Sequence, residues 1–165
     1  TKATVQLMRD LGSIQAPQNA FLINSGLETL HLRMERHCQH AKKVAEYLQE
    51  HDKVAWVNYH DLETDKYHEL TQHYLPTGSF GVIIFGLKGG REASVKMMDN
   101  LELGAIVTHV ADSRTSVLHP ASHTHRQMND QELIEAGVQP DLIRLSVGIE
   151  NVDDIIEDLE QAMNA

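Results

Sequence analysis

The stretch Leu142-Ile143-Arg144-Leu145-Ser146-Val147-Gly148-Ile149-Glu150 limits the possible folds more than any other part of the chain. Its apolar residues Leu142, Ile143, Leu145 and Val147 cover both faces of an extended strand, which sets the guanidinium of Arg144 against a core. An unpaired charge in such a place costs on the order of several kcal/mol, so Arg144 requires an anion. Two sources are open: an Asp or Glu on a neighbouring element, or a ligand carboxylate gripped by two parallel hydrogen bonds from the planar fork. Beyond a turn at Gly148, Asn151 can cap a helix whose first turn carries Asp153 and Asp154. Val152, Ile155, Ile156, Leu159, Ala162 and Met163 recur in it at helical spacing.

The chain before this strand is expected to supply the layers that bury it. Residues 2–10 read as helix, residues 12–17 as a turn. Then Ala20, Ile23, Leu27, Leu30, Met34, Cys38, Ala41, Ala45 and Leu48 step by three or four, predicting a long helix with a break near residues 25–29. This reading puts Cys38 in the apolar stripe and His31, His37 and His40 on or beside the solvated face. Strands are predicted at residues 54–59, 80–85, 105–108 and 115–118, with the 80–85 strand buried on both faces, and surface helices at 65–74 and, after Gly89-Gly90, 91–101. The glycine pair lacks the spacing of a phosphate loop. The order predicts an α/β or α+β fold, helices packed on a small sheet.

With 165 residues, 41% of them hydrophobic, one compact domain with a single core is expected. A net charge of −10 without any Lys/Arg run argues against a nucleic-acid surface or a polybasic membrane patch and favours a small-molecule or protein partner. A lone cysteine, Cys38, excludes an internal disulfide and, with no signal-peptide pattern and no bilayer-length apolar run, suggests a cytoplasmic setting. The opening at Thr1, inside an apparent helix, suggests a piece of something longer.

Residues 109–126 are dense in groups that can do chemistry. His119, His123 and His125 could gather a metal, but they come without a cysteine or a placed carboxylate and beside Pro120. The other reading is a polar loop at the mouth of a site, with Asp112 and Arg114 pairing to hold its shape. A Ser116-His119-Asp112 set lacks any nucleophile-elbow sequence.

Ser25-Gly26-Leu27-Glu28-Thr29-Leu30, Arg33-Met34 and His37 are followed in order by Ala111-Asp112-Ser113-Arg114-Thr115-Ser116, His119-Pro120-Ala121-Ser122, Thr124-His125 and residues 143–150. In this arrangement the chain resembles the C-terminal part of the Cys/Met-metabolism family of pyridoxal-phosphate enzymes, most of all its O-acetylhomoserine sulfhydrylase branch. Cystathionine synthases and lyases tend to carry a Gly-Gly-x-Glu-Ser type stretch where Ala111-Asp112-Ser113-Arg114-Thr115 stands here. The resemblance implies the small C-terminal domain of an aspartate-aminotransferase-type fold, residues 52–165, entered by a helical lead-in, residues 1–51. It implies that Arg144 binds a substrate α-carboxylate, and it places His109 where relatives often carry Ser or Asn beside that carboxylate. It implies pyridoxal phosphate as cofactor, a small amino-acid substrate, a homo-oligomer, and γ-replacement of acetate by sulfide to give homocysteine. The family's Schiff-base lysine, in a Ser-x-Thr-Lys type motif, is not among these residues, so no catalytic, cofactor-binding or metal residue is assigned and the chain alone is expected to be inactive. A γ-synthase or γ-lyase relative, or a stand-alone domain binding a metal or partner through its histidine loop, are the alternatives.

Overall fold

A computed structural model describes residues 1–165, which fall into two compact units, Thr1–Leu32 and Arg33–Ala165. In the first, a π-helical turn over Ala3–Met8 runs into α1 (Arg9–Leu11), which Gly12 ends in the left-handed conformation. Pro17 then occupies the first turn of α2 (Pro17–Glu28), where its missing N–H costs nothing. The break foreseen near residues 25–29 falls at Thr29, after which α3 (Leu30–Glu50) begins. No residue of this unit is buried, and the early part of the expected apolar stripe is exposed, Ile23 and Leu27 both by 55%.

The second unit is built around a five-stranded sheet. Its elements in order are the rest of α3, β1 (Val54–Asn58), α4 (His68–Tyr74), β2 (Val82–Leu87), α5 (Gly90–Asp99), β3 (Ala105–Ile106), β4 (Ser116–Leu118), a 3₁₀ turn (Pro120–Ser122), α6 (Asp130–Glu135), β5 (Leu142–Ser146) and α7 (Val152–Asn164). The sheet order is β1-β2-β5-β4-β3, antiparallel except for the parallel β3–β4 pair. Asn151 caps α7 through the Asp153 N–H, as expected, and α6, for which no cap was foreseen, opens on a reciprocal capping box of Asn129 and Glu132.

Strand β5 lies at the centre, paired with β2 on one side and β4 on the other. Ile143 and Leu145, with their cross-strand neighbours Phe85, Ile83 and Val117, are wholly buried and share one face. They join Ala41, Val44, Ala45 and Leu48 of α3, Met97 and Met98 of α5, and Ile155, Leu159 and Ala162 of α7 in one core. Each of the larger side chains among them, Val, Leu, Ile, Phe or Met, contributes roughly 1.5–3 kcal/mol when buried. Alternation therefore turns Arg144 to the opposite face, beside half-buried Ile84, rather than against the core as its apolar neighbours suggested. The 80–85 strand likewise begins two residues later and is fully buried on one face only, Val82 and Ile84 being partly exposed.

The buried face of α3 is rotated from the expected one. His37 and His40 are 1% and 6% exposed rather than solvated, and Cys38 is half-buried, with burial first and nearby Asp61 second raising its thiol pKa. His37 Nδ1 donates to the Val147 carbonyl at 2.6 Å, and His40 Nδ1 to that of Gly148 at 3.2 Å, so the helix is tied to the chain leaving β5. From the other side Glu150 accepts the Thr115 N–H at 2.6 Å and its hydroxyl at 3.0 Å, while the Thr115 Oγ1 accepts the Gly148 N–H at 3.0 Å.

This clasp leaves no space at Gly148: a Cβ there would stand 2.5 Å from the Thr115 nitrogen and 2.7 Å from the Arg114 carbonyl carbon, and would also meet the Glu150 carboxylate. Backbone atoms cannot rotate away as a side-chain tip can, so Gly148→Ala should lower unfolding stability by about 1–3 kcal/mol or more. A urea unfolding midpoint unchanged from wild type would show that the clasp is looser than described.

Candidate functional site

The site is built outward from Arg144. Cross-strand pairing sets its Cα opposite Ile84 and Leu118, and the side chain reaches the segment that follows β3. There Nη2 donates to the Thr108 carbonyl at 2.9 Å and to that of His109 at 3.4 Å. Thr108 was expected to continue the third strand, but β3 ends at Ile106 and the Thr108 carbonyl serves the guanidinium. Nε of Arg144 is buried and has no partner. None of the chain's ion pairs includes Arg144, so no carboxylate lies within 4.0 Å of it. Of the two anion sources open at the outset, the internal one is not present. The guanidinium is thus half-buried, held by two carbonyl dipoles at Nη2, and without a counter-ion in its own chain.

Residues 108–112 form a tight loop beside it. Ala111 has φ 59°, the one non-glycine residue in the left-handed region. Its N–H donates to Ser146 Oγ at 3.3 Å, and Ser116 Oγ donates to the His109 carbonyl at 3.2 Å. The His109 ring, exposed and carried by this loop, has Nδ1 3.1 Å from Asp112 Oδ2. Asp112 Oδ1 accepts the Arg114 backbone N–H at 3.1 Å and the Ser113 hydroxyl at 3.4 Å. The backbone bond from Arg114 first, and the His109 ring next, hold the Asp112 carboxyl below its usual range. The link between positions 112 and 114 thus runs through the main chain, with the Arg114 guanidinium exposed and outside every ion pair. Sequence reasoning considered Ser116 only in a catalytic set that it set aside and gave Ser146 no role, although Ser146, two residues beyond Arg144, had to share its face.

The histidines do not gather. His119 is fully buried, with Nε2 2.9 Å from the Pro140 carbonyl and Nδ1 2.8 Å from Ser122 Oγ. A carbonyl can only accept, so Nε2 carries the proton and Nδ1 accepts from the serine, which occupies both nitrogens. His123 Nδ1 donates to the His119 carbonyl at 3.0 Å and His125 Nδ1 lies 2.9 Å from Thr124 Oγ1. No group of three potential metal ligands converges anywhere in the chain. Gly89 and Gly90 both have positive φ and open α5, whose Arg91 is engaged by Asp130 and the Ala121 carbonyl.

Comparison with known proteins extends this description. Residues 1–164 match the family described as Cys/Met metabolism PLP-dependent enzyme. An O-acetyl-L-homoserine sulfhydrylase of Leptospira meyeri is 50% identical over 163 residues, covering 98% of this chain and 37% of that protein. An L-methionine gamma-lyase of Fusobacterium nucleatum is 44% identical over 153 residues, covering 92% of this chain and 38% of its own length. A Campylobacter jejuni crystal structure, described as an O-acetylhomoserine (thiol)-lyase with N'-pyridoxyl-lysine-5'-monophosphate, superposes with a TM-score of 0.90 at 40% identity, over 99% of this chain and 39% of that one. The chain therefore spans well under half the length of the relatives it matches. The superposition bears out the fold that the resemblance implied.

Burial gives the site region a pH signature. Desolvation, the largest influence on both His119 and His40, lowers their pKa values despite hydrogen bonds to Pro140 and Gly148 that act the other way. An unfolded histidine titrates near pH ~6.5. On acidification the unfolded state therefore takes up protons before the folded state does, so stability present above that pH is lost as pH falls through it. The melting temperature of the chain should drop between about pH 7.5 and 5.5, and His119→Gln should flatten that slope. Equal slopes for the two proteins would remove His119 from this role. The carboxylates held low, Asp112, Asp158 and Glu160, act in a more acidic range and do not produce the effect.

Proposed function

The chain belongs to the Cys/Met-metabolism family of pyridoxal-phosphate-dependent enzymes, and on that premise we propose that it is the C-terminal portion of an O-acetylhomoserine sulfhydrylase, supplying the clamp for the substrate's α-carboxylate. One observation carries this reading: Arg144 is held at Nη2 by two main-chain carbonyls, with a buried and unpartnered Nε and no acidic partner in its own chain. A bidentate carboxylate supplies the missing charge and fixes the Cα substituents of an amino acid in space. His109, whose carbonyl also faces Arg144, places its ring at the rim of the same site, and Asp112 braces that ring. The 50% identity to a sulfhydrylase supports γ-replacement as the reaction. The 44% identity to a γ-lyase keeps γ-elimination as a second reading, and both use the same clamp.

The residues present do not make a site for pyridoxal phosphate. Lys42 faces Asp61, Lys43 faces Asp153, Lys53 and Lys88 donate to main-chain carbonyls of Met163 and Asp52, and Lys66 lies over the Tyr67 ring. Lys2 and Lys96 are exposed, so none of the lysines is a buried amine aimed at the Arg144 face, and the glycine pair before α5 leads to an arginine already paired. On this proposal the groups that hold the cofactor are supplied by residues beyond these 165, and the chain alone is inactive. We place the enzyme in the cytoplasm, in keeping with the lack of any helix long and apolar enough to cross a membrane, and take residues 1–51 as the helical lead-in to the 52–165 domain.

The enzyme is further proposed to be a homo-oligomer in which residues 1–32 are covered. Phe21, Leu22, Ile23 and Leu27 are all more than half exposed, more apolar surface than a short helix keeps in water. The 165-residue chain should sediment above monomer mass, and Ile23→Glu with Leu27→Glu should return it to the monomer. A wild-type chain that is already monomeric at micromolar concentration would overturn this expectation.

Arg144→Lys in the full-length enzyme tests the clamp. Lysine keeps the charge but replaces the planar fork with a point donor, so one contact to the carboxylate is lost. A charge-assisted hydrogen bond is worth roughly 1.5–3 kcal/mol, so kcat/KM for the amino-acid substrate should fall about ten- to a hundredfold. A variant that melts lower but keeps wild-type kcat/KM in its folded fraction would make Arg144 a structural residue and refute the proposal.

A further inference from the structure

Three side chains on one face of adjacent strands hold the main chain of residues 108–112. Arg144 and Ser146 alternate along β5, and Ser116, the cross-strand partner of Ser146, lies on β4. Together they bond three points of the loop: Arg144 the Thr108 and His109 carbonyls, Ser116 the same His109 carbonyl, and Ser146 the Ala111 N–H. Both serines are nearly inaccessible, 2% and 3% exposed, whereas Ala111 is exposed. An exposed alanine has no packing reason to adopt φ 59°, a conformation L-residues avoid because Cβ crowds the following carbonyl. Something must hold it there, and the bond from its N–H to Ser146 Oγ is the contact that does so.

The consequence reaches the guanidinium. The left-handed residue turns the chain back on itself two positions after His109, and this fixes where the Thr108 and His109 carbonyls stand. Both carbonyls take their hydrogen bonds from one nitrogen of the Arg144 fork, Nη2, and so hold that corner of the guanidinium. Were the loop to relax, the carbonyls would move, and the fork would lose the support that keeps its remaining donors in one orientation. We infer that Ser146 is a positioning residue for anion binding by Arg144: it locks Ala111 in a left-handed turn and thereby sets the loop carbonyls that orient the guanidinium, with Ser116 fixing the same loop through His109. This rests on the reading of Arg144 as the carboxylate clamp. Ser146 itself touches the loop and not the ligand.

The experiment uses the full-length holoenzyme and compares Ser146→Ala with Arg144→Lys. Ser146→Ala should raise KM for the amino-acid substrate roughly tenfold while kcat stays within about threefold, since one positioning hydrogen bond is removed and the clamp itself is kept. The dissociation constant of L-norvaline, an α-amino acid with no γ-leaving group, should rise by a similar factor in calorimetric titration. Hydrogen exchange over the peptide 108–114 should quicken in the same variant without quickening in β2. If Ser146→Ala leaves KM, norvaline binding and loop exchange at wild-type values while Arg144→Lys is impaired, the positioning role is refuted and the clamp stands. If Arg144→Lys is itself unimpaired, the clamp falls and this inference with it. Should Ser146→Ala not fold, Ala111→Val carries the test, because a β-branched residue resists the left-handed conformation at an exposed position without disturbing β5. A rise in KM and in loop exchange supports the inference, and unchanged values overturn it.

Discussion

A guanidinium on the central strand of a sheet, with no acid of its own chain to neutralise it, is the constraint from which the arrangement follows. Desolvating a cation is costly, so folding must either pair it or reserve it for something that arrives later. Here the surrounding structure provides carbonyl oxygens only, from Thr108 and His109. These orient the group without cancelling its charge. An internal Asp or Glu at the same place would cancel that charge, and any anion from outside would have to compete with a tethered carboxylate.

Holding such a group ready demands rigidity beneath it, and the fold concentrates its constraints there. Ile143 and Leu145 anchor one face of β5 in the core, so Arg144 is directed outward by alternation rather than by any contact of its own. Where the strand ends, His37 and His40 bind the next two carbonyls to α3, and Glu150 binds the start of β4 through Thr115. The choice of histidine suits the place. A neutral imidazole donates one hydrogen bond to a buried carbonyl without bringing a permanent charge into the core, whereas lysine or arginine would need its own counter-ion. His37 shows the cost of this solution, for its Nε2 is buried and unpartnered.

Much of this was legible in the sequence because the relevant signals are local. The central strand, the Asn151 cap, the turn at Gly148 and the break in the long helix each depend on a few adjacent residues, and each stands within a residue or two of its expected place. Arg144 was conspicuous as a charge among apolar neighbours. The histidines of α3 were misplaced because helical spacing supports two overlapping stripes. The series Met34, Cys38, Ala41, Ala45, Leu48 and the series His37, Ala41, Val44, Leu48 share several positions, and only the strand packed against the helix decides between them. The roles of Ser116 and Ser146 in holding the loop were invisible for a different reason: a serine in a strand has no signature until the loop that needs its hydroxyl is placed over it. The pairing at Asp112 was half legible, the acid being right and its partner being the Arg114 N–H rather than the side chain.

The two units differ in how far their own residues account for them. Residues 33–165 contain a continuous core drawn from helices on one side of a sheet, enough to order every element that frames Arg144. Residues 1–32 have helices and no core at all. A twelve-residue helix is marginal in water even with favourable composition, and α2 contains Gly26, Asn19 and Asn24, which weaken it further. Its apolar residues point in several directions rather than along one stripe, as Phe21, Leu22 and Ile23 are consecutive and all exposed. A surface helix with a single partner needs one apolar face, whereas apolar residues around the circumference suit a helix enclosed from more than one side. The apolar residues of this segment therefore find no partners among its own thirty-two residues, whereas every element that frames Arg144 lies in the unit that has a core of its own.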